Sequence, residues 1–570
     1  MTQRLTITVL IVLVSLIYGL PHIILFNKLG ENYNPLVISD KSPIARDEAF
    51  AYAPFVNYIL KGHLFLKDAY VAEYANLPTP YLGETAPSIV FAVLAKLTGS
   101  IEQAFIAGDF IFPPIIFLLL YKLSSLFINH KLFATSVAFL TVISRDFIAV
   151  IPYPHETFQY LTFAEGQNYL LFFSRAFHPQ LTFIFFISAI LLTIKLLKNP
   201  KSLLAILALG LVFGLLFYSY VFHWTYFFLT FSFIFLYNLI KKNLPATRAL
   251  FVSGAIALLI GSFYLYNAWQ FSQLAQAFDF VAKTSLHSLP LPLTLVRYLI
   301  ITTIFLAIVK LKDHQSAVLF LALLSGVVIS PLSKLVIGQD LETFHYLRRA
   351  LMPLSTIALF IIIYYFLGRK RIFVTTISIV LFFTALLLGV RTQLIATDKI
   401  QTVHVKDTQL ETVFNWLGTN TPKDSVVGSL DTTFSSLLPT YTENYVYFPP
   451  TDRTVTLTYE GVERYAILSN ILGIDTNWQK KNLDNIISYL FVYQAYNDQN
   501  NLDLNSPKRR QAEIQIDFIA KSSLEKEIKK YKLDYIVVTP SDFGIVRPNP
   551  DFLKPVTSIN EYVIFKAIGQ

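Results

Sequence analysis

Two adjacent carboxylates, Asp47 and Glu48, lie in the first long polar segment of the chain, after an apolar run near the N-terminus. A carboxylate can act as a general base, bind a cation or accept a hydrogen bond from a sugar hydroxyl. Pro54 favours the start of a helix and Gly62 favours its end, so we expect Asp47 in the irregular segment before that helix. A solvated loop in which Arg46 pairs with Asp47 is the alternative interpretation.

Three more residues in this part of the chain are suited to binding a sugar or its carrier: Tyr52, Glu73 and Asp109. An aromatic face packs against the C–H patches of a sugar, and a carboxylate accepts hydrogen bonds from its hydroxyls. Asp109 lies near the end of an apolar run, and a charge at the centre of a membrane span costs roughly 2.5–3.5 kcal/mol. We therefore expect Asp109 to face a polar cavity. Exposure among lipid headgroups is the alternative.

Basic residues cluster at two further points of the chain. Arg175 and His178 are three residues apart and share a face if their segment is helical. His345 comes three and four residues before Arg348 and Arg349, so one helix face can carry the histidine and a guanidinium. Because a guanidinium binds phosphate oxygens in a bidentate manner, both clusters are candidate phosphate sites. Snorkelling of Arg175 and His178 to ordinary headgroups is the alternative.

Membrane helices must position these residues, because the 570-residue chain is 54% hydrophobic and only 15% charged. Soluble domains carry roughly 25% charged residues. The first apolar run has no small-residue cleavage site and is interpreted as an uncleaved anchor. Runs long enough to cross a bilayer predict about eleven spans, at 5–26, 103–127, 131–151, 179–197, 201–218, 221–240, 248–267, 292–311, 315–331, 349–367 and 372–390.

Lysines and arginines predict the orientation, because connections rich in them stay in the cytoplasm. With the N-terminus inside, the basic connections all fall on the cytoplasmic side. The apolar segment 86–98 is too short to span and is predicted to be an interfacial or re-entrant helix. The segments 27–102, 152–178, 268–291 and 332–348 and the tail from 391 are then extracytoplasmic. A prokaryotic plasma membrane is the expected location.

Two domains are predicted: 1–390, a transmembrane domain with the long first outer loop 27–102, and 391–570, an extracytoplasmic α/β domain. The tail has no spanning run and alternates helix and strand patterns. Its predicted elements are a helix at 407–420, a strand at 425–430, a helix at 523–531 and strands at 534–538 and 562–567. The Asn- and Asp-rich segment 496–510 is predicted to be an exposed loop. Cysteine is absent, which excludes disulfides and thiolate metal sites.

Several function classes are disfavoured by what the sequence lacks. There is no Walker loop, zincin motif or Gly-x-Ser-x-Gly elbow, which disfavours nucleotide-driven transport and serine hydrolysis. A lipid or polysaccharide transporter or flippase would also explain the many spans, but no inverted repeat or matching pair of broken spans is evident. A non-catalytic scaffold that uses the tail as a binding module is the other alternative. No nucleic-acid partner is expected.

The layout resembles GT-C fold glycosyltransferases, membrane enzymes that use polyprenyl-phosphate sugars. This group includes protein O-mannosyltransferases, aminoarabinose transferases and the oligosaccharyltransferase catalytic subunit. The resemblance rests on the Asp47-Glu48 doublet, Tyr52 and the run 59–62 of the first outer loop, together with the spans, the interfacial helix and the outer tail. It implies a polytopic α-helical membrane protein of GT-C type with a C-terminal extracytoplasmic α/β domain. The implied partners are a polyprenyl-phosphate sugar donor, a glycan, lipid or protein acceptor, and membrane lipids.

The resemblance also implies roles for individual residues. In such families the first-loop aspartate is the catalytic carboxylate, which carries over to Asp47. Glu48 matches the Asp-Glu doublet of the mannosyltransferase-like branch and is the second candidate catalytic residue. Arg348 or Arg349, helped by His345 or Arg175, would stabilise the phosphate as negative charge develops on it. No Trp-Trp-Asp acceptor motif is evident in the tail, so a role in reading a glycosylation sequon is not expected. A divalent cation, Mg²⁺ or Mn²⁺, and its ligands are left open.

Overall fold

The structure is a computed structural model that describes residues 3–36, 48–143, 170–284, 293–337, 344–367, 370–450, 453–490 and 507–568. Asp47 lies outside these residues, so its position in an irregular segment stays a prediction. The described chain resumes with a π-helical turn, Glu48–Tyr52, that leads directly into the helix Ala53–Leu60. This helix starts and stops as the proline and glycine pattern predicts, and Gly62 has a φ of +97°.

Helices dominate the chain before residue 401. The described residues form α1 (Gln3–Leu29), α2 (Ala53–Leu60), α3 (Thr85–Thr98), α4 (Ile101–Ser125), α5 (Lys131–Ile143), α6 (Thr182–Lys198), α7 (Leu203–Leu216), α8 (Val221–Ile240), α9 (Leu244–Ser272), α10 (Ala275–Thr284), α11 (Leu293–Val309), α12 (His314–Ile337), α13 (Met352–Leu367) and α14 (Arg371–Ile400). Further π-helical turns, Ala176–Leu181 and Leu347–Leu351, lead into α6 and α13.

The predicted membrane spans are confirmed as helices. Among the described residues, eight are long and apolar enough to cross a membrane: Leu5–Asn32, Ile101–Ser125, Ala176–Lys198, Val221–Ile240, Leu244–Ser272, His314–Ser333, Leu347–Leu367 and Arg371–His404. Three shorter apolar helices are Lys131–Ile143, Leu203–Leu216 and Leu295–Val309. Each predicted span overlaps one of these, and the eight and the three make up the predicted eleven. The chain is therefore an integral membrane protein.

The segment predicted to be a short interfacial or re-entrant helix forms α3, which has 14 residues. It ends at Gly99, whose φ of +97° suits a glycine after a helix C-terminus. Its N-terminal end is joined to the bundle, because the Ala86 N–H donates to the carbonyl of Tyr218 at 2.7 Å. The helix is confirmed, and its depth relative to the membrane stays a prediction.

The tail folds around a five-stranded mixed sheet, in the order β2-β1-β3-β5-β4. Strand β1 runs parallel to β2 and β3, whereas β5 runs antiparallel to β3 and β4. The described tail elements are α15 (Thr408–Asn420), β1 (Val426–Gly428), α16 (Thr432–Tyr441), β2 (Tyr445–Val446), α17 (Thr458–Ile471), α18 (Thr476–Lys481), α19 (Leu483–Leu490), α20 (Pro507–Lys521), α21 (Leu524–Ile528), β3 (Tyr535–Val538), β4 (Leu553–Ile559) and β5 (Tyr562–Ala567).

The five predicted tail elements correspond to α15, β1, α21, β3 and β5, which confirms the α/β class. The predicted exposed loop at 496–510 is wrong over its last four residues, because α20 begins at Pro507. Burial of Ala512, Ile516 and Ile519 on one side of α20 is the reason that a charged stretch becomes helical. The rest of that predicted loop lies outside the described residues.

The first outer loop packs on the tail rather than standing apart from it. The buried carboxylate of Asp68 accepts backbone hydrogen bonds from Tyr70 and Val71 in its own loop, and from Val455 in the tail, each at 2.9 Å. The Val446 N–H of β2 donates to the Tyr70 carbonyl at 2.7 Å, so the loop is hydrogen-bonded to the edge strand of the sheet. The loop and the tail therefore share one hydrophobic core, which also includes residues of the membrane helices such as Phe112.

Candidate active site

The candidate site begins at Glu48, the first described residue after the segment that carries Asp47. Its Oε1 lies 3.3 Å from Nε of Arg175, a residue 127 positions away in sequence. Nη2 of Arg175 donates to the hydroxyl of Tyr52 at 3.4 Å, and the guanidinium lies 5.7 Å from the centre of the Tyr52 ring. The π-helical turn thus places Glu48 and Tyr52 against Arg175, and all three are residues that the sequence singles out.

His178 lies against the same tyrosine. Tyr52 stacks on Phe177 with ring centroids 4.5 Å apart, and the edge-to-face distance between the Tyr52 and His178 centroids is 5.0 Å. Nε2 of His178 lies 3.7 Å from Oε1 of Glu84, and Nδ1 lies 3.3 Å from Oγ1 of Thr182. Because His178 is fully buried, snorkelling to the headgroups does not describe it.

Arg175 and His178 do not share a helix face, because the condition that their segment is helical is not met. Arg175 is extended, with φ −122° and ψ 107°, and His178 interrupts its helical turn with φ −129° and ψ 124°. Pro179 explains the interruption, since a proline disfavours the α region for the residue before it. The two side chains nevertheless reach one site, because both contact Tyr52.

A glycine in α4 lets this segment approach the bundle closely. A Cβ at Gly108 would lie 3.0 Å from Cβ of Ala176 and 3.2 Å from the ring of Phe91. Such distances are tighter than ordinary van der Waals contact, so a larger residue would push the Arg175–His178 segment outward. Gly108 therefore helps to set the position of the basic residues.

Tyr220 connects His178 to the second basic cluster. The ring centroids of His178 and Tyr220 are 4.4 Å apart, and the Tyr220 hydroxyl lies 2.8 Å from Nδ1 of His345. The guanidinium of Arg349 lies 5.4 Å from the centre of the Tyr220 ring. Arg348, one position earlier, is exposed. Of the two predicted arginines, Arg349 is therefore the one that faces the site.

The two arginines of the site differ in how their charges are paired. Arg175 is matched by Glu48, whereas Nη1 of Arg349 is buried and makes no hydrogen bond within the described part of the chain. Burial, followed by the positive charges of Arg349 and Arg175, lowers the pKa of His345 well below 6.5. His345 is therefore neutral at pH 7 and acts as a hydrogen-bonding group rather than a charge. A site of this kind favours a small anion.

Asp109 occupies a separate buried network, which excludes simple headgroup exposure. Its Oδ2 lies 2.8 Å from Nε2 of His22, and its Oδ1 accepts a hydrogen bond from the amide of Gln180. Nδ1 of His22 lies 2.5 Å from the hydroxyl of Tyr33. Gln180 belongs to the same turn as His178, so Asp109 adjoins the basic site without contacting its guanidinium groups. Its predicted substrate contact stays a prediction.

Glu73 has a different environment from the other predicted residues. Its Oε1 accepts the backbone N–H of Lys532 at 3.0 Å, and its Oε2 lies 3.2 Å from Nη2 of Arg464. Arg464 is fully buried in the tail and also pairs with Glu460 at 2.8 Å. The structure therefore brings Glu73 to the tail rather than to Glu48, and its contacts give the predicted substrate role no support.

Two further residues, Glu84 and Tyr220, belong to the site. Tyr220 directly precedes the apolar helix α8, so it carries the same signal as Asp109, a polar group near the end of a span. Glu84 is the last residue of the 3-10 helix Pro80–Glu84 and has no pattern that separates it from other loop acids. Only the fold reveals that it lies beside His178.

The described side chains of the site do not by themselves form a site for a divalent cation. Within the described residues, no three His, Asp or Glu side chains converge as a metal site requires. Glu48 is engaged by Arg175, and Glu84 lies beside His178. Mg²⁺ and Mn²⁺ prefer several oxygen ligands without competing cations. A divalent cation remains a prediction that depends on Asp47, and no step of the chemistry below is assigned to it.

Comparison with known proteins identifies the fold. No protein-family model matches the sequence, and no curated protein shows a significant match. The crystal structure of the Archaeoglobus fulgidus oligosaccharyltransferase in the apo form has a TM-score of 0.51 and 11% identity, over 95% of this chain and 70% of that chain. ArnT from Cupriavidus metallidurans in the apo state has a TM-score of 0.48 and 11% identity, over 100% of this chain and 99% of that chain.

The oligosaccharyltransferase likeness confirms the predicted GT-C architecture, a polytopic helical membrane protein with an α/β tail. At this level of identity it shows the fold alone. A fold does not assign a reaction, which has to be argued from the site.

Proposed function

We propose that this chain is an integral membrane glycosyltransferase that moves a sugar from a polyprenyl-phosphate donor to a glycan, lipid or protein acceptor at the outer membrane face. One observation carries the proposal. Two guanidinium groups lie over the neighbouring rings of Tyr52 and Tyr220, and His178 contacts both rings. This cluster sits beside Glu48, directly next in sequence to the proposed catalytic carboxylate, Asp47.

The phosphate of the donor is the anion that this cluster suits best. Arg349 has a buried Nη1 that makes no hydrogen bond among the described residues, so it can donate to a phosphate oxygen without giving up an existing partner. Arg175 is oriented by Glu48 and Tyr52, which leaves its planar group fixed. Hydrogen bonds from arginine to phosphate are charge-assisted and roughly twice as strong as neutral ones.

The proposed reaction uses these groups in fixed roles. An oxygen of the acceptor attacks the anomeric carbon, and the bond from that carbon to the phosphate oxygen breaks. The phosphate keeps the electron pair, and Arg349 and Arg175 stabilise its growing negative charge. Asp47 accepts the proton of the acceptor hydroxyl or orients it. Glu48 acts on Arg175 rather than on the sugar and is a positioning residue.

The test is sugar transfer by the purified protein in nanodiscs. Radiolabelled polyprenyl-phosphate mannose, glucose and arabinose are supplied in parallel to the wild type and to Asp47→Asn. We expect the wild type to consume one donor and the variant to keep its fold but lose turnover. A transporter or a scaffold would be little affected by the substitution. Full transfer by Asp47→Asn would reject the assignment of this carboxylate.

Arg349 has a matched comparison in the adjacent Arg348, which carries the same charge and is exposed. We expect Arg349→Gln to lower kcat/KM for the donor by about 100-fold, since a lost charged contact to a developing oxyanion costs roughly 3 kcal/mol. Arg348→Gln should lower it far less. Equal losses in the two variants would mean that net charge, rather than the position of Arg349, supports donor use.

A further inference from the structure

A cavity of about 480 Å³ lies between the end of α1, the start of α4 and the tail helix α15. Phe26, Phe414 and Leu437 supply apolar lining, and Tyr33 and Tyr441 add ring surfaces with hydroxyl groups. Small-molecule pockets typically measure roughly 300–1,000 Å³. None of the residues that line this cavity belongs to the basic site described above.

One wall of this cavity is connected to a buried polar chain. The hydroxyl of Tyr33 lies 2.5 Å from Nδ1 of His22, whose Nε2 lies 2.8 Å from Oδ2 of Asp109. Burial raises the pKa of Tyr33, so its phenol keeps its proton. If His22 donates from Nε2 to Asp109, Nδ1 accepts the phenol proton, and the Tyr33 oxygen still has lone pairs free to accept a hydrogen bond. The cavity wall thus presents a fixed acceptor.

The charged lining sets the sign of the ligand. Four carboxylates line the cavity, and Lys406 is the single ammonium among the lining residues. Lys406 pairs with Glu411 at 2.8 Å, and Asp407 caps the helix α15. Glu31 and Glu102 form no ion pair within the described part of the chain. An anionic polyprenyl phosphate would be repelled here, whereas a cation would be attracted.

We infer that this cavity binds a ligand that carries a protonated amine on an apolar or sugar body. The ammonium group lies near Glu102 and Glu31, the oxygen of Tyr33 accepts one of its hydrogen bonds, and the rings of the lining hold the body. The cavity therefore selects a cationic ligand, whereas the arginines of the basic site select an anionic one. On the proposed function, on which this last step rests, the amine-bearing ligand is the acceptor.

The probe is dansyl cadaverine, a primary amine on an aromatic body, compared with its N-acetylated, uncharged form. Binding is measured by fluorescence in nanodiscs of zwitterionic lipid, so that the bilayer itself does not attract the cation. We expect the wild type to bind the amine at least tenfold more tightly than the acetylated form. Glu102→Gln and Tyr33→Phe should each weaken binding of the amine, by about tenfold for the charged contact.

Glu443→Gln is the matched control, because this carboxylate pairs with Lys423 at 3.0 Å and does not line the cavity. Unchanged binding in Glu443→Gln with weaker binding in Glu102→Gln supports the inference. Equal binding of the two probe forms, or equal loss in both variants, overturns it.

The binding test needs no donor. If the protein binds the amine through Glu102 but transfers no sugar from any donor, the proposed function is rejected and the amine site is supported. If the protein transfers sugar but its binding of the amine does not depend on Glu102, the proposed function is supported and the amine site is rejected.

Discussion

At the scale of single residues, each of the two arginines of the candidate site lies over an aromatic ring, and Arg175 also pairs with a carboxylate. Arg349 lies over Tyr220 and Arg175 over Tyr52, and a ring face attracts a cation by about 0.5–2 kcal/mol, more when water is excluded. A ring does not neutralise the charge as a carboxylate does. The ring of Tyr220 therefore holds Arg349 in position without neutralising its charge, whereas the charge of Arg175 is matched by Glu48.

His345 gives a pH dependence with a definite sign. Its pKa in the folded protein is well below 6.5, because burial and the charges of Arg349 and Arg175 disfavour the imidazolium form. As the pH falls below about 6.5, the unfolded chain takes up a proton that folded His345 refuses, so the folded state loses stability. We expect a lower melting temperature at pH 5 than at pH 8, and a smaller difference for His345→Gln. The same difference in both proteins would assign the effect to another group.

Part of this site can be predicted from the types of residue in the sequence. The rest could not be predicted, because the residues that form it are far apart along the chain. Arg175, Arg349 and His178 stand out because charges are unusual beside apolar runs on the predicted outer side. Their assembly around Tyr220 could not be predicted, since the ring contacts join segments more than 40 residues apart. The position of Glu73 could not be predicted for the same reason. Its partner, Arg464, lies in a part of the chain that no local pattern connects to it.

At the scale of elements, long apolar helices were predictable and short edge strands were not. Strand β2 has two residues, too few for an alternating pattern. Strand β4 lies at the sheet edge and is largely exposed, with Lys554 and Pro555 in its sequence, as is typical of edge strands. Both strands form because neighbouring strands supply their hydrogen bonds, which is information outside the segment itself.

The contact between the first outer loop and the tail predicts a stability effect. In Asp68→Asn, the new amide presents N–H groups toward the backbone N–H of Val455 or that of Tyr70, so at least one buried donor loses its acceptor. We expect a destabilisation of about 1–3 kcal/mol, seen as a lower melting temperature of the purified protein. Asp424→Asn is the control, at an exposed position where a surface substitution should change stability by less than about 0.5 kcal/mol. Equal shifts would show that the buried contacts of Asp68 contribute little.

At the scale of the whole molecule, the proposed orientation places the first outer loop and the tail on the same side of the membrane. Their shared core requires this, since Asn57 donates to the carbonyls of Pro439 and Thr442 at 2.8 and 3.0 Å. The basic connections of the bundle predict that this common side is the exterior. The predicted domain boundary at residue 390 stays a prediction. The first outer loop lies on one side of that boundary in sequence but shares a hydrophobic core with the tail on the other side.

The absence of native cysteine makes the orientation directly measurable. Lys423→Cys places a thiol at an exposed position of the tail, and Lys201→Cys places one in the connection between α6 and α7. A membrane-impermeant maleimide should label the first variant in intact cells, and the second only after permeabilisation. The reverse pattern would place the site and the tail in the cytoplasm.

The buried carboxylate of Asp68 also sets an order of events during biosynthesis. Its hydrogen-bond partner Thr454 lies 386 residues later, which at about 5–20 residues per second is a delay of roughly 20–80 seconds. On the predicted orientation, the loop is then already across the membrane while the tail segment that will bind it has not been made. A ribosome that stalls in the last spans would leave this unpaired loop exposed to proteases on that side. Completion of the tail is therefore the step that protects the beginning of the chain.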